Sequence, residues 1–461
     1  MSIITRISQN CQSPESRIQV FIKKYSVGRL LARCGAVKEK GVSVIAIFQY
    51  LLCLMFSDRS MYMQMRTNRF HESFSKNTVY RFLNSARIHW EHFTALLSER
   101  IVNTFLRPLT SDDRRDVFIL DDSTFRKRGY KKTELVARVF DHVEMKYIKG
   151  FRMLTLGWSD GNTFVPITHR LLSSSNNANV LGVMKNLDKR SIAFRRRKEA
   201  REKATDVMMT MLKNARKIGH HAKYVLFDSW FSSPKTIIQI NNECHLDTIA
   251  MLKKSAKINY LFEGKLKNIK QIYAACKKRR GRSKYLLSVD IEIVSTNDNG
   301  ETFSIPARIV CVRNRSNRKD WLALICTDTE LSEEEIIQTY GKRWDIEVFF
   351  KTCKDMLGLE GCHSLSYDAH TAYVSIVFVR YMLIALETRI DEDDRTGGQI
   401  FFLLCDELQD ISFQNSLSLI LQAVIDIVME KYRLTEEMAE ELMNEIFSHL
   451  PVRFREMLMP S

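Results

Sequence analysis

Two short apolar runs stop at aspartates, and this pattern restricts the fold more than any other feature of the 461-residue chain. Asp116-Val117-Phe118-Ile119-Leu120 leads into Asp121-Asp122-Ser123-Thr124, and Lys223–Phe227 leads into Asp228-Ser229-Trp230-Phe231. Both runs read as short buried strands. Phe151–Gly157, Thr163–Leu172 and Thr248–Leu252 read as further strands, with Asp160-Gly161 as a turn, while Lys203–Ile218 and Pro234–Cys244 read as helices. Strands mixed with crossover helices predict an α/β core. Carboxylates at the C-terminal ends of buried strands often line an α/β active site. Oxygen-rich clusters of this kind suit Mg²⁺ or Mn²⁺. For either aspartate alone, the ordinary alternative is a turn or helix-capping residue.

The flanking regions differ. Residues 1–110 read as helical, with apolar residues at three and four spacing from Val44 to Phe56. Within them, Ser75 or Asn77 caps a predicted helix presenting Lys76, Tyr80 and Arg81, which reads either as a helix-turn-helix recognition helix or as a plain amphipathic one. From Lys253 to Thr327 helical periodicity disappears. Tyr285–Val294, Ser304–Arg313 and Trp321–Cys326 predict an all-β module inserted into the α/β core. Leu331–Leu357 then reads as one helix with Ser332 as its N-cap, followed by an apolar helix at Thr371–Leu386 and an acidic helical tail. The expected organisation is a helical N-terminal DNA-binding domain over 1–110, a first core segment over 111–252, the β insertion over 253–330, the final core helices over 331–390 and the acidic helical region over 391–461.

Charge narrows the partner. The chain has a net charge of +16, while Glu387–Ser461 carries 16 acidic and 6 basic residues, leaving +26 on the first 386 residues. A body that basic calls for a polyanion, nucleic acid first. Lys185–Lys203 holds nine Lys or Arg, including Arg195, Arg196, Arg197 and Lys198; Lys277–Lys284 holds six in eight, namely Lys277, Lys278, Arg279, Arg280, Arg282 and Lys284. Either run alone is as well explained by a solvated face, but two together favour phosphate contacts. The ten cysteines show no Cys-x-x-Cys spacing and read as buried thiols of a cytosolic protein. No segment reads as a membrane span, since Arg380 interrupts Thr371–Leu386.

The predicted Leu331–Leu357 helix supplies the third carboxylate. At about 100° per residue, Tyr340, Arg343, Glu347 and Lys354 fall within an arc of about 60°, beside a buried stripe containing Phe349 and Cys353. Arg343 and Glu347 are also i,i+4 partners, so a salt-bridged surface is the plain alternative. The spacing Y-x-x-R-x-x-x-E-x-x-x-x-x-x-K from Tyr340 to Lys354 resembles the signature of a large family of bacterial insertion-sequence transposases with a DDE triad. Tyr-Gly-Lys-Arg-Trp-Asp-Ile-Glu-Val-Phe-Phe-Lys, the strand leading to Asp121-Asp122-Ser123-Thr124 and the Leu226–Phe231 segment resemble the same family, across roughly residues 115–360.

That resemblance implies an RNase H-like mixed sheet with helices on both faces, interrupted by the β insertion. It implies two Mg²⁺ ions, replaceable by Mn²⁺, held by Asp121, Asp228 and Glu347, with Asp122 as the alternative to Asp121. It further implies that Tyr340, Arg343 and Lys354 contact phosphates at the DNA end, and that Trp321 stacks on a flipped base during a hairpin step. The expected protein is a cut-and-paste transposase acting on its element's terminal inverted repeats and on target double-stranded DNA. It is expected to work as a homodimer, with no membrane partner, in the bacterial cytoplasm at the nucleoid. The alternatives are a transposase-derived regulator that binds DNA without cutting it, and a structure-specific nuclease without strand transfer.

Overall fold

The apolar run at Val117 does form a strand, but the strand does not stop at its aspartates. In a computed structural model of the protein, β1 (Val117–Arg126) continues through Asp121-Asp122-Ser123-Thr124 because β3 pairs along its whole length. The structure describes residues 16–455, apart from 58–59, 71, 111–114, 142–143, 282, 297–299, 315–316, 318–319, 391–396, 433–434 and 453.

The other strands follow in chain order: β2 (Ala137–Asp141), β3 (Lys146–Ser159), β4 (Phe164–Leu172), β5 (Tyr224–Phe227), β6 (Asp247–Met251), β7 (Asn259–Phe262), β8 (Lys265–Asn268), β9 (Leu287–Thr296), β10 (Thr302–Arg313) and β11 (Trp321–Cys326). They form one mixed sheet in the order β2-β3-β1-β5-β6-β11-β10-β9-β7-β8, with β4 also on β3. β1, β5 and β6 run parallel; the pairings of β3 with β1 and β4, and of β11 with β6, are antiparallel. This mixed α/β architecture is consistent with an RNase H-like fold. Every residue of β4 and β5 is buried. Since successive side chains point to opposite faces, both faces of the sheet are covered there.

The region read as an all-β module departs from expectation in two ways. It carries a helix, Ile269–Ala275, capped by Asn268 with Gln271 closing the capping box. Its strands also extend the core sheet, because β11 pairs with β6 through Leu324–Cys326 against Ile249–Met251. The short polar β8 concealed this in the sequence, since Lys265-Leu266-Lys267-Asn268 lacks an apolar run.

Contacts divide the chain into two compact units, neither of them a continuous stretch. One comprises Met1–Ser26, Phe48–Glu72 and Asp394–Ser461; the other comprises Val27–Ile47 and Ser73–Asp393 and contains the whole sheet. In the first, the helices Gly397–Tyr432 and Glu436–His449 meet around Leu421, Ile425 and Met443. In the second, the helix Tyr367–Ile390 lies against β4 and the helix Trp90–Ile101. It is the one helix among the described residues apolar and long enough to cross a membrane, yet most of it is buried in protein. Arg380 is accommodated inside by donating to the Leu357 carbonyl at 3.2 Å.

Candidate active site

The register between β1 and β5 brings the two strand aspartates together. Val117–Ile119 pair in parallel with Tyr224–Leu226. Extending that register by two residues sets Asp121 opposite Asp228, just past the end of β5, and the two-residue period puts both on one face. Asp228 is fixed by its own turn, where its Oδ1 accepts from the Trp230 amide at 2.9 Å. Asp122 points elsewhere and pairs with Arg152 of β3 at 2.5 Å.

The helix expected over Leu331–Leu357 is two helices, Glu333–Gly341 and Trp344–Asp355. Between them the Lys342 and Arg343 amides bond three residues back, to the Thr339 and Tyr340 carbonyls. Gly341, a poor helix former, precedes the break. The tightened turn sends two adjacent side chains to different partners. Lys342 donates to the carbonyls of Arg115 and Asp160, at 2.7 and 3.2 Å. Arg343 donates to Asp121 Oδ2 at 2.8 Å and, through its other terminal nitrogen, to Glu347 Oε1. Tyr340 lies against the same group: burial raises the pKa of its phenol, Arg343 opposes this, and the charges of Asp228 and Asp121 add to it.

The cluster is electrostatically strained. Burial pushes the Asp121 carboxyl up to about 7; Arg343 opposes, while Asp228 and Asp122 add to burial. Burial is the main cause of this shift, and the oxygens of a buried carboxyl beside a second carboxylate suit a hard divalent cation. Asp121 and Asp228 fit such an ion directly. Among the described residues no three Asp, Glu, His or Cys side chains form a set that could hold a metal, and the Arg343 guanidinium bridges Asp121 and Glu347.

The remaining candidates scatter. Lys354 sits at the far end of the second helix, 4.0 Å from Glu360. Trp321 is already stacked, with the Tyr273 ring 4.1 Å away at 9° and Lys254 Nζ 4.5 Å from its centroid. The Tyr273 ring thus covers one face of the Trp321 indole. Arg196 and Arg197 correct the sequence reading. They lie inside the protein, where Arg196 pairs with Glu91 at 2.8 Å and with Asp368 at 2.6 Å. Arg197 pairs with Glu134 at 2.6 Å and with Asp368 at 2.7 Å. Neither can touch DNA. Arg195 and Lys198, on the opposite side of the helix Ile192–Glu199, are exposed. In the second basic run, Lys277 and Arg280 are exposed, Lys278 lies over Tyr273 at 4.7 Å and Arg279 over Tyr285 at 4.2 Å. Arg282 lies outside the described residues.

Two exposed indoles that the sequence reading gave no role flank the cluster. Trp230 is 51% exposed two residues after Asp228, and Trp344 is 63% exposed next to Arg343. The signal was available: each large apolar ring lies within two residues of a charged site residue, outside any buried stripe.

A family model described as a DDE superfamily endonuclease matches residues 47–286. The match includes Asp121 and Asp228 and ends before Tyr340, Arg343, Glu347 and Lys354. No curated protein matches the chain.

Proposed function

Because the chain belongs to the DDE superfamily of endonucleases, we propose that it is a DNA transposase of the insertion-sequence type marked by the Tyr-Arg-Glu-Lys spacing, with Asp121, Asp228 and Glu347 as its catalytic carboxylates. The observation that carries this reading is the single charged cluster formed by Asp121, Asp228, Arg343 and Glu347 from two neighbouring strands and a separate helix. Bound there, Mg²⁺ or Mn²⁺ would activate an attacking oxygen and offset charge on the leaving oxygen of a phosphodiester.

The protein's own residues supply the rest. Arg343 is the natural group to exchange partners, since a guanidinium fork matches a phosphate as well as a carboxylate. Moving onto a DNA phosphate, it would release Glu347 towards Asp121 and Asp228, so that substrate binding completes the acidic set. Tyr340 walls the cluster on the helix side, and Trp230 and Trp344 offer apolar faces at its rim. Water in the attacking position gives strand cleavage; the freed 3′-hydroxyl in the same position gives joining to target DNA. An element has two ends, which favours a homodimer that holds both.

The test is incubation of purified protein with labelled duplexes from the DNA flanking its gene, Mg²⁺ and a target plasmid. A transposase nicks at the repeat boundary and joins the 3′ end to the plasmid. A structure-specific nuclease stops after cleavage, and a regulator binds without cutting.

A further inference from the structure

A groove of about 620 Å³ opens beyond the end of β1, lined by Arg126, Lys127, Arg128, Lys149, Glu360 and His363 among others. Its cations are incompletely answered. Lys127 is 8% exposed, and its ammonium donates to the Cys362 carbonyl. Among the described residues no carboxylate forms an ion pair with Lys127, Arg128 or Lys149. Lys149 instead stands 3.7 Å over the Tyr130 ring. Arg126 is matched, by Asp141 at 2.9 Å and by Glu144. Glu360 is occupied on its other side: it accepts from the Arg126 amide at 3.4 Å and lies 4.0 Å from Lys354. A buried ammonium costs free energy unless an anion answers it. Three cations with no carboxylate partner, set against the one carboxylate of the groove, Glu360, therefore call for a ligand that brings negative charge.

We propose that this groove holds the phosphodiester backbone of the DNA duplex that reacts at Asp121, about six base pairs along it from the reacting phosphate. The spacing comes from the strand. Lys127 follows Asp121 by six residues along extended backbone, and its amide still pairs with the Lys149 carbonyl at 2.9 Å. At about 3.3 Å per residue that is about 20 Å. A duplex lying along β1 rises about 3.4 Å per base pair, so about six base pairs cover the distance. Lys354, on the helix that bears Glu347, touches Glu360 at the rim, which makes the groove continuous with the catalytic helix. This inference rests on the proposed function and adds a contact that neither the basic runs nor the signature spacing contains.

The experiment measures binding by fluorescence anisotropy over a salt series, in EDTA, for the wild type and an Arg128→Ala/Lys149→Ala variant. Both residues are exposed, so the fold is spared, and a melting curve checks it. Lys127→Met, which keeps the apolar stem, is a second variant. One duplex extends ten base pairs to each side of the cleaved phosphate, and another is cut to three. On the long duplex the double variant should lower the slope of log K against log salt by about 1.8, from about 0.9 per lost contact. On the short duplex it should match the wild type. Loss on the element's end alone assigns the groove to that end; equal loss on unrelated duplex assigns it to target DNA as well. A wild-type slope on the long duplex, or equal loss on both lengths, overturns the groove assignment alone. A wild type that binds neither duplex overturns the DNA reading of the whole chain, the groove included.

Discussion

Two of the places where arginine meets carboxylate in the sheet-bearing unit are balanced differently. Around Arg196 and Arg197 the charges close on themselves. All five N–H donors of Arg197 are used, on Glu134, Asp368 and the Ala193 carbonyl. Burial alone would raise the Glu91 carboxyl there, but Arg196, His89 and Arg170 overcome it and hold the group well below the usual range. At the candidate site one guanidinium, Arg343, is shared between Asp121 and Glu347, and Asp121 is pushed up to about 7. The first cluster ties together the helices Trp90–Ile101, Ile192–Glu199 and Tyr367–Ile390. At the second, burial outweighs Arg343 and leaves the Asp121 carboxyl raised. A completed network builds structure; an incomplete one is where chemistry can enter.

The largest expected effect tests that division at Glu347. Glu347→Gln should slow cleavage of a labelled element end by about a thousand-fold or more, corresponding to several kcal/mol of lost transition-state stabilisation. End binding and the melting temperature should stay near wild type, because the side chain is partly exposed and the amide is isosteric. A Gln variant that cleaves at the normal rate would remove Glu347 from the acidic set.

Arg197→Met should act in the opposite sense, on the fold. Removing one partner of a buried ion cluster leaves Glu134 uncompensated and Asp368 with Arg196 alone, and costs about 3–5 kcal/mol. Denaturant titration should show this as a lower midpoint with an unchanged slope. Arg343→Met should cost much less, since it relieves a shared and partly hydrated pair. Equal losses at the two arginines would erase the contrast.

The Asp121 carboxyl gives a smaller effect that depends on pH. Its ordinary value is 3.8, and in the folded protein it lies at about 7. Between these values the native state binds a proton that the unfolded chain has released. The stability of the metal-free protein should therefore fall as pH rises from about 4 through 7. Asp121→Asn should flatten that dependence. Thermal melts in EDTA at several pH values check it, and an identical slope in the variant would mean that Asp121 is not the group responsible.

How far the site could be read in advance depended on the range of the interactions that make it. Val117–Leu120 and Tyr224–Phe227 are local apolar patterns, and so are Pro234–Cys244 with proline at its first turn and Trp321–Cys326; the structure starts the first within a residue of its expected start and has the other three within a residue at both ends. The break at Lys342–Arg343 is set by carbonyls of Arg115 and Asp160 and by Asp121, all more than 180 residues away in sequence. Nothing in Gly-Lys-Arg-Trp itself announces it. The continuation of β1 through four polar residues is likewise imposed by β3 across the sheet. Lys127, Arg128 and Lys149 were invisible as a group because β1 and β3 must pair before they share a groove.

The smallest effect belongs to the basic run, where one helix holds both kinds of arginine. Ala193, Arg196, Arg197 and Ala200 are buried, and this three- and four-residue spacing was the available sign that Arg196 and Arg197 face inward. Arg195 and Lys198 face solvent on the other side. A solvated residue away from caps and cores changes stability by only about 0.5 kcal/mol when replaced. Arg195→Ala/Lys198→Ala should therefore melt with the wild type. If these two side chains lie on the DNA path, the variant should lower the slope of log K against log salt by up to about 1.8, because each lost phosphate contact removes about 0.9. Anisotropy titrations at several salt concentrations measure that slope. A variant with the wild-type slope would leave this helix with a purely structural task, performed by its buried face, and would move the search for the DNA path to Lys277, Arg280 and the groove beyond β1.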